Sequence, residues 1–139
     1  MARVSRLTLR DFEKTMTSDQ LTIDISTDEV TGTPVYRLRG SLDLATAPSV
    51  RAALIEAAGA GKHDIVVDLT KLEFLDSTGL GALIGAHRRA IEHGGAVRLA
   101  VGEGAIARLL NITGLMRVFP VYASLEDALA GRERIEVLA

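Results

Sequence analysis

The chain has 139 residues, 47% of them hydrophobic, with 16 Lys plus Arg against 18 Asp plus Glu and a net charge of −2. That length and apolar share suit one compact domain with its own core, and the even charge balance excludes a nucleic-acid binder that works through a basic patch. The absence of cysteine removes disulfides, thiolate metal sites and a cysteine nucleophile, and without a long apolar run or a signal-peptide core the expectation is a soluble cytoplasmic protein with no membrane segment.

Residues 1–18 mix both charge signs with a few apolar residues. They read as an extension ahead of a domain at 19–139, either a loosely docked arm or a short self-association helix. Residues 21–26 (LTIDIS) alternate apolar and polar, the period of a half-buried strand, and residues 35–40 (VYRLRG) do so again. The intervening Thr31-Gly32-Thr33-Pro34 is turn chemistry, so the two form an antiparallel hairpin. In SLDLATAPSV, Thr46 suits an N-cap and Pro48 the first turn of a helix that stops at Gly59 to Gly61. Residues 64–69 (DIVVDL) are β-branched and almost continuously apolar, which suits a central strand or one covered on both faces.

The stretch LEFLDSTGL, residues 72–80, breaks an apolar run at Asp76 or Ser77, either of which caps a helix running to about His93 and ended by Gly94-Gly95. A strand at 96–101, a short helix ending at Gly114, an extended RVFPVY and a last helix opened by Ser124 complete the chain. Strands alternating with helices imply an α/β domain with a largely parallel sheet, made mixed by the opening hairpin.

On the helix after Ser77, a 3.6-residue period puts Leu80, Leu83, Ile84, His87 and Ile91 on one face, expected to pack on the sheet. Thr78, Gly81, Gly85 and Glu92 share another face, with Arg88 on its border. Three early glycines, each costing about 1 kcal/mol against alanine inside a helix, need a reason. Gly79 would leave room for backbone or phosphate; Gly81 and Gly85 would make a flat strip facing either another molecule or a neighbouring loop. The helix N-terminus carries unpaired N–H groups and partial positive charge, so a phosphate on Ser77 is tolerated there. Beside Asp76 it makes a strongly negative spot. By itself, Asp-Ser-Thr-Gly is also an ordinary N-cap.

Catalytic readings find no support. His63, His87 and His93 form no triad with a hydroxyl, there is no G-x-S-x-G elbow, and GEGAIA at Gly102 departs from a dinucleotide fingerprint at Ala107. His87 reads as a packed or edge histidine, and His93 as a helix C-terminal residue. No cluster has metal-ligand spacing, and neither a cofactor nor a metal is expected. Asp43 and Asp76 each follow a strand and precede a helix, so they lie at one sheet edge. They are either a small acidic site or two independent loop and capping residues.

The segments GSLDLATAP (40–48), IVVDLTKLEFLDSTGLGALIGAHRRA (65–90) and LLNITGLMRVFPVYASLEDAL (109–129) resemble the STAS-domain anti-sigma factor antagonists, also called anti-anti-sigma factors, over residues 20–131. The resemblance implies a mixed, largely parallel sheet of four to five strands with helices mainly on one face. It implies a binding protein with no catalysis of its own. By position, the serine that the family's anti-sigma factor phosphorylates with ATP is Ser77, between Asp76 and Thr78, and the docking aspartate of the family's G-x-L-D segment is Asp43. The unphosphorylated form is expected to bind the anti-sigma factor and free the sigma factor, and a phosphatase to reverse the modification. Asp43, Asp76, Thr78, Gly79, Gly81, Gly85 and Arg88 are then the expected partner-binding residues. Two other readings stay open: a STAS scaffold subunit without the switch, suggested by the extension, and a small-molecule or nucleotide-binding domain using the Asp43–Asp76 edge with the turn at 102–104.

Overall fold

The computed structural model describes residues 14–131. In chain order the elements are β1 (Lys14–Thr17), β2 (Leu21–Thr27), β3 (Pro34–Leu42), α1 (Ala47–Gly59), β4 (Asp64–Leu75), α2 (Ser77–Glu92), β5 (Ala96–Ala100), α3 (Ala105–Ile112), a 3-10 turn (Leu115–Arg117), β6 (Val121–Tyr122) and α4 (Leu125–Ala130). The strands lie in the sheet in sequence order. The pairs β1–β2 and β2–β3 are antiparallel, and the pairs from β3 to β6 are parallel. This is the expected mixed α/β sheet, with six strands among the described residues where four to five were expected. β1 comes from the stretch read as an extension; its four residues bury no full side chain, so no apolar alternation announced it. The rest of that stretch, residues 1–13, lies outside the described residues.

Alternation along the strands divides the sheet into two faces. Ile23, Leu38, Ile65, Val67 and Leu69 point to one face and are covered by Val50 and Leu54 of α1, Leu83 of α2 and Leu110 of α3. Val35, Val66, Ala100 and Tyr122 point to the other, where Leu125 and Ala128 of α4 cover them. The β-branched run in β4 is therefore apolar on both sides because helices cover it on both. Three helices pack on one face and α4 alone on the other.

Two local expectations changed. Thr46 does precede α1, but its hydroxyl does not cap the helix; it donates to Ser41 O (2.8 Å) and accepts from Asp43 N (2.9 Å), tying the preceding loop. On α2, Leu80, Leu83 and His87 are buried as the period predicts, whereas Ile91 is 56% exposed. The helix packs sideways on α1 as well as on the sheet, so its buried stripe turns toward Ala82, Ala86 and Ala90. It ends at Gly94, whose φ of +80° reverses the chain at little cost only for glycine.

Candidate functional site

β3 and β4 end in register, Leu42 opposite Leu75, so their following loops leave the sheet side by side. Asp76 stitches them together. Its backbone N–H donates to Leu42 O (3.2 Å). Its Oδ1 accepts from Gly79 N (2.9 Å), which makes it the N-cap of α2, and its Oδ2 accepts from Leu44 N (3.2 Å) in the β3–α1 loop. The choice between Asp76 and Ser77 as cap thus falls to Asp76. Ser77 is the first residue of α2, exposed, and its hydroxyl makes no hydrogen bond among the described residues.

Asp43 builds its own loop: Oδ1 accepts from Ala45 N (3.0 Å) and Thr46 N (3.2 Å). The two aspartates do come to one edge, joined through Leu44, but backbone donors hold both oxygens of Asp76 and Oδ1 of Asp43. Among the described residues no group of three or more His, Cys, Asp or Glu is placed to hold a metal ion.

The glycines of α2 separate into two kinds. A Cβ at Gly79 would lie 2.7 Å from both Leu42 O and Leu42 Cγ and 2.9 Å from Leu75 Cδ1. Gly79 is buried, and it lets the helix start sit directly on the ends of β3 and β4; of the two earlier options, the room it leaves is for backbone. A Cβ at Gly81 would meet nothing within 4 Å, and at Gly85 only Arg89 Nη1 at 3.6 Å. The strip is therefore open and faces no described loop. Thr78 is half-buried and Arg88 exposed.

Three neighbouring side chains were not singled out from sequence. Arg89, one turn after Gly85, lies against the strip, with Nε and Nη2 buried and without a hydrogen-bond partner among the described residues; the i, i+4 spacing was the available signal. Leu44, whose N–H bonds Asp76 from the β3–α1 loop, and Phe74, two residues before Asp76 in β4, are 73% and 52% exposed, large for apolar side chains. Phe74 is the next-to-last residue of β4, opposite Ser41 of β3.

The histidines lie elsewhere. His87 is buried, accepts from Val97 N at Nδ1 (3.1 Å) and packs on Phe119 with ring centroids 4.9 Å apart. His93 caps the far end of α2 and stacks on His63 at 4.2 Å. A helix of this length spans about 24 Å, so neither of the stacked pair can act as a base on Ser77.

The family model for the STAS domain matches residues 24–128. An anti-sigma F factor antagonist of Paenibacillus polymyxa is 31% identical over 114 residues, covering 81% of this chain and 97% of that protein. Among solved structures, an anti-sigma factor antagonist from Mycobacterium paratuberculosis superposes with a TM-score of 0.74 at 29% identity, covering 83% of this chain and 96% of that one. The Bacillus cell fate determinant SpoIIAA, in its phosphorylated form, superposes with a TM-score of 0.60 at 26% identity, covering 78% and 97%.

Proposed function

The chain belongs to the STAS domain family of anti-sigma factor antagonists, and we propose that it is a phosphorylation-switched member: unphosphorylated, it binds an anti-sigma factor that is an ATP-dependent serine kinase and so releases a sigma factor. The kinase phosphorylates Ser77 and a phosphatase removes the phosphate. The observation that carries this reading is the division of labour at the start of α2. Asp76 supplies the cap, so the Ser77 hydroxyl is exposed and unengaged among the described residues, in a position where modification does not remove a structural bond there.

The partner surface is the edge around Ser77: Asp43 and Asp76 in the stitched loops, Thr78, and the strip of Gly81 and Gly85 bordered by Arg88. Leu44 and Phe74 add apolar area that a partner would cover, the kind of exposed patch that marks protein contacts. Gly79 acts from beneath, by packing.

A phosphate on Ser77 brings about −1.5 to −2 charge and three acceptor oxygens. The fold accepts it, because the first N–H groups of α2 are near. A close partner does not, since the dianion must lose water beside the Asp76 carboxylate and among apolar neighbours. A loss of about 3 kcal/mol lowers affinity more than a hundredfold. The direct experiment incubates the protein with its cognate kinase and ATP, locates phosphate by mass spectrometry, and compares capture of the kinase by wild type, Ser77→Ala and Ser77→Asp. The expected result is phosphate on Ser77 and loss of capture for Ser77→Asp only. Phosphate absent from Ser77, with all three proteins captured equally, refutes the reading.

A further inference from the structure

A second site lies on the opposite face of the sheet, away from Ser77. There, among the described residues, α4 covers the β4–β6 side and leaves part of β2, β3 and β4 uncovered by any helix. A cavity of about 310 Å³ on this face is lined by Asp24, Arg37, Leu38, Arg39, Asp68 and Lys71. That volume falls at the small end of the range for small-molecule sites, about 300–1,000 Å³.

The two carboxylates at its floor are each 3% exposed and already engaged. Asp68 Oδ1 accepts from Thr70 N (2.9 Å) and the Thr70 hydroxyl (2.7 Å), and Oδ2 pairs with Arg37 Nε (3.5 Å). Asp24 Oδ1 accepts from the Thr15 hydroxyl (3.0 Å), and Oδ2 pairs with Arg39 Nη2 (3.0 Å). They are thus occupied in fixing two guanidinium groups rather than open to a cation. Arg37 reaches its carboxylate through Nε alone, so its terminal nitrogens have no ion-pair partner among the described residues. Lys71 has no ion pair or hydrogen bond there at all, and it stands directly across from Arg39 in the β3–β4 register. Like charges facing across neighbouring strands repel. The lining therefore holds three cations against two carboxylates, on a chain whose net charge is −2.

We infer that this cavity binds the phosphoryl group of a small ligand. Three terminal oxygens match three cationic groups, Arg37 presents the fork geometry that phosphate oxygens take, and the added negative charge relieves the Arg39–Lys71 repulsion. The inference is independent of what happens at Ser77.

The test is an NMR titration of amide resonances with inorganic phosphate at constant ionic strength, repeated with sodium chloride. The expected result is saturating shifts at residues 37–39 and 68–71 with phosphate but not chloride, weakened at least tenfold in Lys71→Gln and in Arg37→Gln. Lys71 is exposed and has no partner among the described residues, so Lys71→Gln should keep the wild-type melting temperature and separates loss of binding from loss of fold. Parallel titrations with glycerol phosphate and with a phosphoserine peptide identify the source: whichever saturates at the lower concentration carries the natural group. Shifts that grow linearly in both salts, that gather at the start of α2 instead, or that persist in Lys71→Gln overturn the inference.

Discussion

Replacing the glycines of α2 one at a time by alanine should give opposite results at positions two residues apart. Alanine in a helix is favoured over glycine by about 1 kcal/mol, so in open space the exchange stabilises. Gly81 offers that space, with nothing within 4 Å of the new Cβ. Gly81→Ala is expected to gain about 0.5–1 kcal/mol. At Gly79 the same methyl group meets Leu42 O at 2.7 Å, and a backbone carbonyl at the end of a strand cannot step aside as a side-chain tip can. Overpacking of this kind costs about 1–3 kcal/mol; with a backbone atom involved the upper part applies, and the helix preference offsets at most about 1 kcal/mol. Gly79→Ala should therefore lose about 1–2 kcal/mol. For a domain of this size that is a fall in Tm of roughly 3–8 °C, against a rise of roughly 2–4 °C for Gly81→Ala. Circular dichroism melts with matched urea titrations measure both. A Gly79→Ala protein as stable as wild type would refute the close approach, and a destabilised Gly81→Ala would refute the open strip. The proposed interface adds a second readout: Gly81→Ala should bind the anti-sigma factor at least tenfold more weakly while being more stable, and unchanged binding would remove the strip from the interface.

Asp76→Ala loses the cap to Gly79 and the bond to Leu44, for an expected cost of about 1–2 kcal/mol in urea unfolding; Ser77→Ala, which touches neither, should stay within about 0.5 kcal/mol of wild type. Equal effects of the two would show that Ser77 shares the cap. His87→Leu keeps the volume but leaves Val97 N without its acceptor in the core, so it should cost about 1–3 kcal/mol; a neutral result would place a different acceptor at Val97. Leu44→Ser and Phe74→Ser, each removing an exposed apolar side chain, should leave Tm nearly unchanged and weaken capture of the kinase about tenfold each. Wild-type capture with no loss in either variant would mean the partner does not cover these side chains.

What the sequence disclosed followed the strength of its periodic signals. The alternation in LTIDIS and VYRLRG, the apolar run of DIVVDL and the glycine stops placed five strands and the four α-helices of the described residues, because most of these elements have a buried stripe to betray them; the 3-10 turn at Leu115–Arg117 has none. β1 has none: it is held by backbone pairing to β2 and by contacts of Thr15, neither of which leaves a pattern in one strand read alone. β4 was read six residues too short because its second half, TKLEFL, is bent by register shifts that break strict alternation. Ile91 was assigned to the core by a period that assumes one packing partner, whereas α2 has two. At the site, the position of Asp76 and Ser77 was readable from residue chemistry, but their separate duties were not. Which of two adjacent cap-forming residues accepts from Gly79 depends on where the chain leaves β4, and that is a matter of register.

That register has a functional consequence on the proposed reading. If Ser77 were the cap, phosphorylating it would exchange one structural hydrogen bond for another, and the modification would be coupled to the stability of α2. With Asp76 one residue earlier accepting from both Gly79 and Leu44, the helix start and the β3–α1 loop are fixed by a group that phosphorylation leaves unmodified. Gly79 holds the same corner from below by letting α2 rest on Leu42 and Leu75. A rigid corner is what a switch by surface charge requires. The free energy of the phosphate then goes into the contact with the partner rather than into rearranging the domain, and the phosphorylated protein should keep its fold while losing its partner. Hydrogen exchange measured on both forms tests this: protection in α2 and at residues 42–46 should be the same within about twofold, whereas release of the loop at 43–46 on phosphorylation would show that the signal travels through Asp76 instead.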